Sequence, residues 1–295
     1  MVDPNTLDTI KDLLKSYKIV QIFENELELL DKIGEGSQGK VFKGRYKNVI
    51  VAIKALEELD MRNFVHELYI LSKIEHKCIP RLYGLVVEVN NVSLVTEYIN
   101  GVCLDKLILK NSLSYENKVK ITKNLCKLLS FIHSKNYIHR DLKPENMIVN
   151  IEDYEIYLID FGIAKCLQNK DDECKTRVMG TVFYIAPEIF NVEENDDGEA
   201  VALYTSKSDV WSFGCIVSFL FSGVFPWTNL ILEKKLVDKD AVNTIIESFI
   251  MNKKEFPIPQ NVDNKVKVIV EKATEINIET RKSMTELFEL IEKIL

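Results

Sequence analysis

Three short strings constrain this chain more than anything else in it: Gly34-Glu35-Gly36-Ser37-Gln38-Gly39, His139-Arg140-Asp141 and Asp160-Phe161-Gly162. Lys54 and Glu67 fall between the first two, and Ala186-Pro187-Glu188 follows the third. Each element alone is a weak signal. In one order, at these spacings, they supply what a phosphate-handling site needs: backbone that can approach an anion, a cation, and carboxylates.

Glycine turns tightly and lets N–H groups approach phosphate oxygens without side-chain clash. A lone three-glycine string could be a hairpin turn or a dinucleotide fingerprint. The fingerprint requires a helix after the third glycine, whereas Val41-Phe42-Lys43-Gly44 reads as a returning strand, so that reading fails. Lys54 closes Val51-Ala52-Ile53-Lys54 and is either a solvent lysine on a strand edge or an inward cation. An inward lysine needs a counter-charge. Glu67, with Phe64 at i−3 and Leu71 at i+4, lies on the apolar face of its helix and can provide one.

The 295 residues suffice for two lobes, each with its own core. An apolar content of 46% with 28% charged residues is that of a soluble globular protein, and no apolar run nears the roughly 18 residues of a membrane span. The N-terminus carries Asp3 and Asp8 and no basic start ahead of an apolar block, so neither secretion nor mitochondrial import is indicated. A cytoplasmic or nuclear location is the expectation. Cys78, Cys103, Cys126, Cys166, Cys174 and Cys215 lack metal-type spacing and are read as reduced thiols. A net charge of −7 argues against nucleic acid as the main ligand, since a phosphate backbone calls for a basic surface.

Along the chain, Asn5 and Thr6 offer an N-cap, and Leu7, Ile10, Leu14 and Tyr17 share a face, which predicts an amphipathic helix over 6–18. It is either a packing helix or a regulatory, partner-binding segment. From Leu27 to Tyr98, β-branched runs such as Val49–Ile53 and Ser93–Thr96 surround one helical stretch near Phe64–Ile74. After Gly101 the spacing turns helical, with Ile121, Leu125, Leu128 and Ile132 on one face. The acidic run 193–199 reads as a solvated surface loop.

From Leu27 to the C-terminus the chain resembles the eukaryotic protein kinases. Lys143 and Gly180-Thr181 resemble the serine/threonine pattern, while Thr96-Glu97-Tyr98 and Arg45-Tyr46-Lys47 resemble the tyrosine-kinase-like group. The resemblance implies a bilobal α+β fold: an extension over 1–24, then a kinase domain over 25–295, with a small antiparallel β lobe and one main helix to residue 98 and a mostly α lobe from 99. Glycines 34, 36 and 39 would cover ATP phosphates, and Lys54, paired with Glu67, would contact them. Ile33, Val41, Ala52 and Ile148 would enclose adenine beside Thr96 and the hinge from Glu97 to Ile99. Asp141 would orient the substrate hydroxyl and accept its proton, and Lys143 would neutralise charge on the moving phosphate. Asn146 and Asp160 would hold Mg²⁺. Asp209 would anchor a stack of Leu71, Leu82, His139 and Phe161, and Glu188 would pair with buried Arg281.

Thr176 is expected as an activating phosphosite, its phosphate pairing with Arg140 and Lys165. The implied activity is phosphate transfer from Mg-ATP to serine or threonine of protein substrates by a monomer. Dual specificity and a pseudokinase scaffold that binds nucleotide without transfer are the alternatives.

Overall fold

The computed structural model describes residues 4–36, 39–56, 60–88, 91–167, 174–177, 181–194, 200–235 and 254–295, together with 243, 244, 246, 248, 249 and 252. Side chains at 4, 5, 36, 62, 63, 91, 174–177 and 200 are outside that description. The chain divides into two compact units, one of Met1–Gly101 with Tyr157–Gly162 and one of Val102–Ile156 with Ile163–Leu295. The fold is α+β.

The first unit begins with α1 (Pro4–Tyr17), then β1 (Gln21–Ile22), β2 (Leu27–Gly36), β3 (Gly39–Tyr46), β4 (Val49–Leu56), α2 (Met61–Lys73), β5 (Leu82–Glu88) and β6 (Asn91–Glu97). The six strands form one sheet in the order β1-β5-β6-β4-β3-β2, antiparallel except where β1 runs parallel to β5. The β3–β4 hairpin turns on Lys47 and Asn48, with φ of 47° and 66°. Positive φ at both central residues matches the right-handed twist of the flanking strands.

α1 starts two residues before the 6–18 span that the periodicity predicts and ends one residue short of its close. It is closed off at Lys18, whose φ of 57° lets the Ile19 N–H reach back to the Leu14 carbonyl at 2.9 Å. That left-handed closure is the Schellman pattern, here without its usual glycine. Leu7, Ile10 and Leu14 are buried against Phe64 and Leu68 of α2 and Leu85, Val87, Val92 and Leu94 of β5 and β6. The apolar face of α1 is thus covered within its own unit, as the packing-helix reading expects. The two-residue β1 and its parallel pairing had no sequence signal.

The second unit contains β7 (Val102–Cys103), α3 (Leu104–Leu109), α4 (Tyr115–Ser134), β8 (Tyr137–Ile138) and β9 (Met147–Val149), with β10 (Ile156–Leu158) running to its edge. It continues with β11 (Lys165–Cys166), β12 (Cys174–Arg177), β13 (Glu193–Glu194), β14 (Ala200–Tyr204), α5 (Ser206–Ser222), α6 (Thr228–Glu233), α7 (Asn264–Ala273) and α8 (Met284–Ile294). α4 starts where the Ser114 hydroxyl accepts from the Asn117 N–H, and Ile121, Leu125, Leu128 and Ile132 are all buried. α5 is apolar all round and buried along nearly its whole length, as a central helix must be. It stops at Gly223, whose φ is 69°.

The acidic run departs from the expected loop. Glu193 and Glu194 form an exposed edge strand on β14, and β14 pairs antiparallel with β12, Thr176 opposite Ala202. Residues 195–199 lie outside the described residues.

Candidate active site

In the first unit, strand register builds the site. Gly34 pairs with Val41, Val41 with Lys54, Ala52 with Thr96 and Val51 with Glu97. Alternation along β4 puts Ala52 and Lys54 on one face. Gly36 pairs with Gly39 at the start of the glycine loop, whose tip, Ser37 and Gln38, lies outside the described residues. Ile33 is 43% exposed beside that loop, and Ile99 is buried.

Lys54 is inward and not a strand-edge lysine. Its Nζ sits 3.4 Å from Glu67 Oε1 and 3.3 Å from Asp160 Oδ1. Burial works against its charge, but the two carboxylates outweigh that penalty and raise its pKa. Burial also raises the pKa of Glu67, while the Lys54 cation pulls it back. Asp160 Oδ1 additionally accepts the Gly162 N–H at 3.0 Å, a turn that fixes the carboxylate.

In the second unit, Asp141 is the centre of a network. Lys143 Nζ lies 2.7 Å from Asp141 Oδ2 and donates to Thr181 Oγ1 at 3.0 Å, and the Thr181 hydroxyl donates to Asp141 Oδ1 at 3.1 Å. Asn146 Nδ2 donates to Asp141 Oδ2 at 3.2 Å and to the Asp141 carbonyl at 2.9 Å. With its amide nitrogen so committed, Asn146 keeps its acceptor oxygen, Oδ1, as the atom able to ligate a hard cation. Ile148 lies in β9, opposite Cys103.

Asp209 holds the backbone beneath this network. Its carboxylate accepts the N–H groups of His139 and Arg140, each at 2.9 Å, and meets His133 Nε2 at 2.9 Å. Burial disfavours its charge, but the His133 hydrogen bond and the charges and N–H around it hold its pKa below the usual value. Arg140 thereby adopts a φ of 69°. Its Nε donates to the Ile163 carbonyl at 2.5 Å, and its guanidinium lies 5.3 Å from the centre of the Tyr204 ring. Lys165 is in β11, opposite Ile138. The side chain of Thr176 lies outside the described residues, so its expected meeting with Arg140 and Lys165 does too.

Glu188 and Arg281 form a bidentate pair at 2.8 and 2.9 Å. Arg281 also donates to the carbonyls of Lys207 and Glu275, and its guanidinium stacks near Trp211 at 5.2 Å.

Two contributors escaped the sequence reading. Thr181 entered only as part of a specificity pattern, although its hydroxyl bridges Asp141 and Lys143. Tyr204, at the end of a strand that the acidic run gave no reason to expect, lies over Arg140. No local signal could have joined residues 40 and 64 positions apart.

The protein kinase domain model matches residues 27–290. Among curated relatives, the chain is similar to Ankyrin repeat-containing protein kinase A of Dictyostelium discoideum, 32% identical over 69% of this chain and 14% of that protein. It is also similar to Serine/threonine-protein kinase TNNI3K of Mus musculus, 32% identical over 70% of this chain and 25% of that one. A third is the G-type lectin S-receptor-like serine/threonine-protein kinase SD1-13 of Arabidopsis thaliana, 31% identical over 72% of this chain and 26% of that one. The chain spans about a quarter or less of these relatives' lengths. With the matched model covering nearly the whole sequence and carrying every motif described above, the chain belongs to the protein kinase family.

Proposed function

We propose that this chain is a serine/threonine protein kinase that transfers the γ-phosphoryl group of Mg-ATP to protein hydroxyls. The observation that carries the reading is the network joining Asp141 to Lys143, Thr181 and Asn146. A carboxylate held by three neighbours is oriented before substrate arrives, and phosphoryl transfer asks chiefly for positioning and charge compensation. In the step, the bond from the γ-phosphorus to the β–γ bridging oxygen breaks as the substrate oxygen bonds to phosphorus. The hydroxyl proton passes to Asp141. Lys143, poised beside the same carboxylate, offsets charge on the moving group. Lys54, held by Glu67 and Asp160, contacts the remaining phosphates.

Asn146 and Asp160 would hold magnesium. Their hard oxygen donors, one amide and one carboxylate, suit an ion that keeps several waters and takes few protein ligands. Held there, the ion would supply positive charge to offset that of the phosphates. Adenine would lie against Ile33, Val41, Ala52 and Ile148, with Thr96 and residues 97–99 at its edge. The kinase domain is taken as 25–295 behind an extension over 1–24, acting as a monomer on protein substrates and not on nucleic acid. Cys103, Cys126, Cys166 and Cys215, which form no disulfide, support a cytoplasmic or nuclear setting. Among the described residues, no helix is long and apolar enough to cross a membrane.

Thr176 is the proposed control point. Its backbone sits in β12, opposite Ala202, and a phosphate on it would add nearly two negative charges for Arg140 and Lys165 to pair with. The test is phosphoamino-acid analysis of a generic basic protein after incubation with the chain and Mg-ATP, with mass spectrometry of the chain itself. Phosphoserine and phosphothreonine alone are expected on the substrate, and phosphate at Thr176 on the chain. Phosphotyrosine on the substrate would replace the reading with dual specificity. Bound nucleotide without transfer, even when Thr176 is phosphorylated, would replace it with the scaffold.

A further inference from the structure

We propose that α1 is a built-in brace for α2: its apolar face holds α2 where Glu67 meets Lys54, which makes Ile10 and Tyr17 positioning residues for the nucleotide. This rests on the reading above, in which Lys54 contacts the phosphates of ATP.

The helix is tied down on two sides. Toward the sheet, the chain leaving α1 runs into β1, where Gln21 and Ile22 pair with Leu85 and Val86, and the Leu85 N–H donates to the Val20 carbonyl at 3.0 Å. Gly84 leaves no room for slippage there, since a Cβ on it would overlap that same carbonyl oxygen and press on Ile22. Toward α2, fully buried Ile10 sits with Leu7 and Leu14 in the cluster that contains Phe64 and Leu68. The Tyr17 ring meets the Tyr69 ring edge-on, centroids 5.6 Å apart. Phe64, Leu68 and Tyr69 surround Glu67 in sequence, and Phe64 lies on its side of the helix one turn earlier.

Glu67 needs such support. Its contact with Lys54, at 3.4 Å, is at the long end of an ion pair. An outward shift of α2 by about 1 Å would take the pair beyond direct contact, and a misplacement of that size can cost up to about 100-fold in rate. A helix of 13 residues has little stability of its own in water, so what packs beside it sets where it rests.

The test is a mutant cycle on the full chain, read as kcat/KM for Mg-ATP, Mg-ATP affinity and deuterium uptake by the amides of α2. Ile10→Ala and the milder Tyr17→Leu should each raise uptake in α2 and lower kcat/KM by roughly tenfold. Ile10→Val should restore most of the loss. In a Glu67→Gln background, Ile10→Ala should add less than about twofold, because the link it acts through is already gone. The brace is refuted if Ile10→Ala lowers the melting temperature yet leaves kcat/KM within about twofold of the parent, or if it costs the same factor in both backgrounds. A parent that transfers no phosphate removes the functional reading instead, and the same cycle on Mg-ATP affinity then decides the brace. A parent that binds no nucleotide overturns both.

Discussion

Thr181→Val isolates one hydroxyl at the centre of the site. Valine keeps the shape of threonine and removes the group that donates to Asp141 Oδ1 at 3.1 Å and accepts from Lys143 Nζ at 3.0 Å. The direct contact of Lys143 with Asp141 Oδ2 at 2.7 Å remains, as does the hold of Asn146. The loss is therefore one hydrogen bond to a charged group and the alignment it enforces, about 1.5–3 kcal/mol. If that stabilisation operates in the transition state, kcat falls by roughly 10- to 150-fold with little change in KM for ATP. Thr181→Ser, which keeps the hydroxyl, should recover most of the rate. Steady-state transfer to a serine-containing peptide measures both. A valine variant within about twofold of the parent would show that the bridge contributes nothing to positioning Asp141.

Arg281→Met should lower the unfolding free energy by about 3–5 kcal/mol in a denaturant titration, because it leaves Glu188 without its buried bidentate partner. A loss under about 1 kcal/mol would place that carboxylate in contact with water. The depressed pKa of Asp209 gives stability that is complete above the ordinary carboxylate pKa of about 4 and is lost as pH falls through that range toward the lower folded value. Asp209→Asn should remove this acid-side slope and weaken the chain at pH 7, as denaturation at a series of pH values will report; an unchanged slope contradicts the assignment. Gly84→Ala should destabilise the chain by about 1–3 kcal/mol, since its methyl group overlaps the backbone carbonyl oxygen of Val20, which cannot swing aside as the Ile22 side chain it also meets can. Thermal melts that coincide with the parent's would mean that β1 can shift freely.

What could be read from sequence was what is local or fixed by order. The α4 face of Ile121, Leu125, Leu128 and Ile132 is buried as its 3.6-residue spacing requires, and the α1 face of Leu7, Ile10 and Leu14 likewise. Glu67 could be paired with Lys54 because an inward lysine on a strand needs an anion, and only one helical carboxylate lay between apolar neighbours at the right spacing. The pairing of β12 with β14 could not be read, since strand partners across an acidic run are chosen by tertiary contacts and not by alternation within either strand. Nor could β1, whose two residues are too few to show a period. Thr181 and Tyr204 act through partners far away in sequence, which pattern reasoning cannot join.

The most direct test of the account is transfer of γ-phosphate from Mg-ATP to a generic basic protein by the purified chain and by its Asp141→Asn variant, alongside nucleotide affinity for both. Asparagine keeps the size of the side chain and removes the carboxylate proposed to accept the proton. The account predicts transfer by the parent, loss of at least about 100-fold in the variant, and nucleotide affinity equal in the two. Equal transfer by both, with phosphate reaching substrate undiminished when Asp141 is gone, would contradict it.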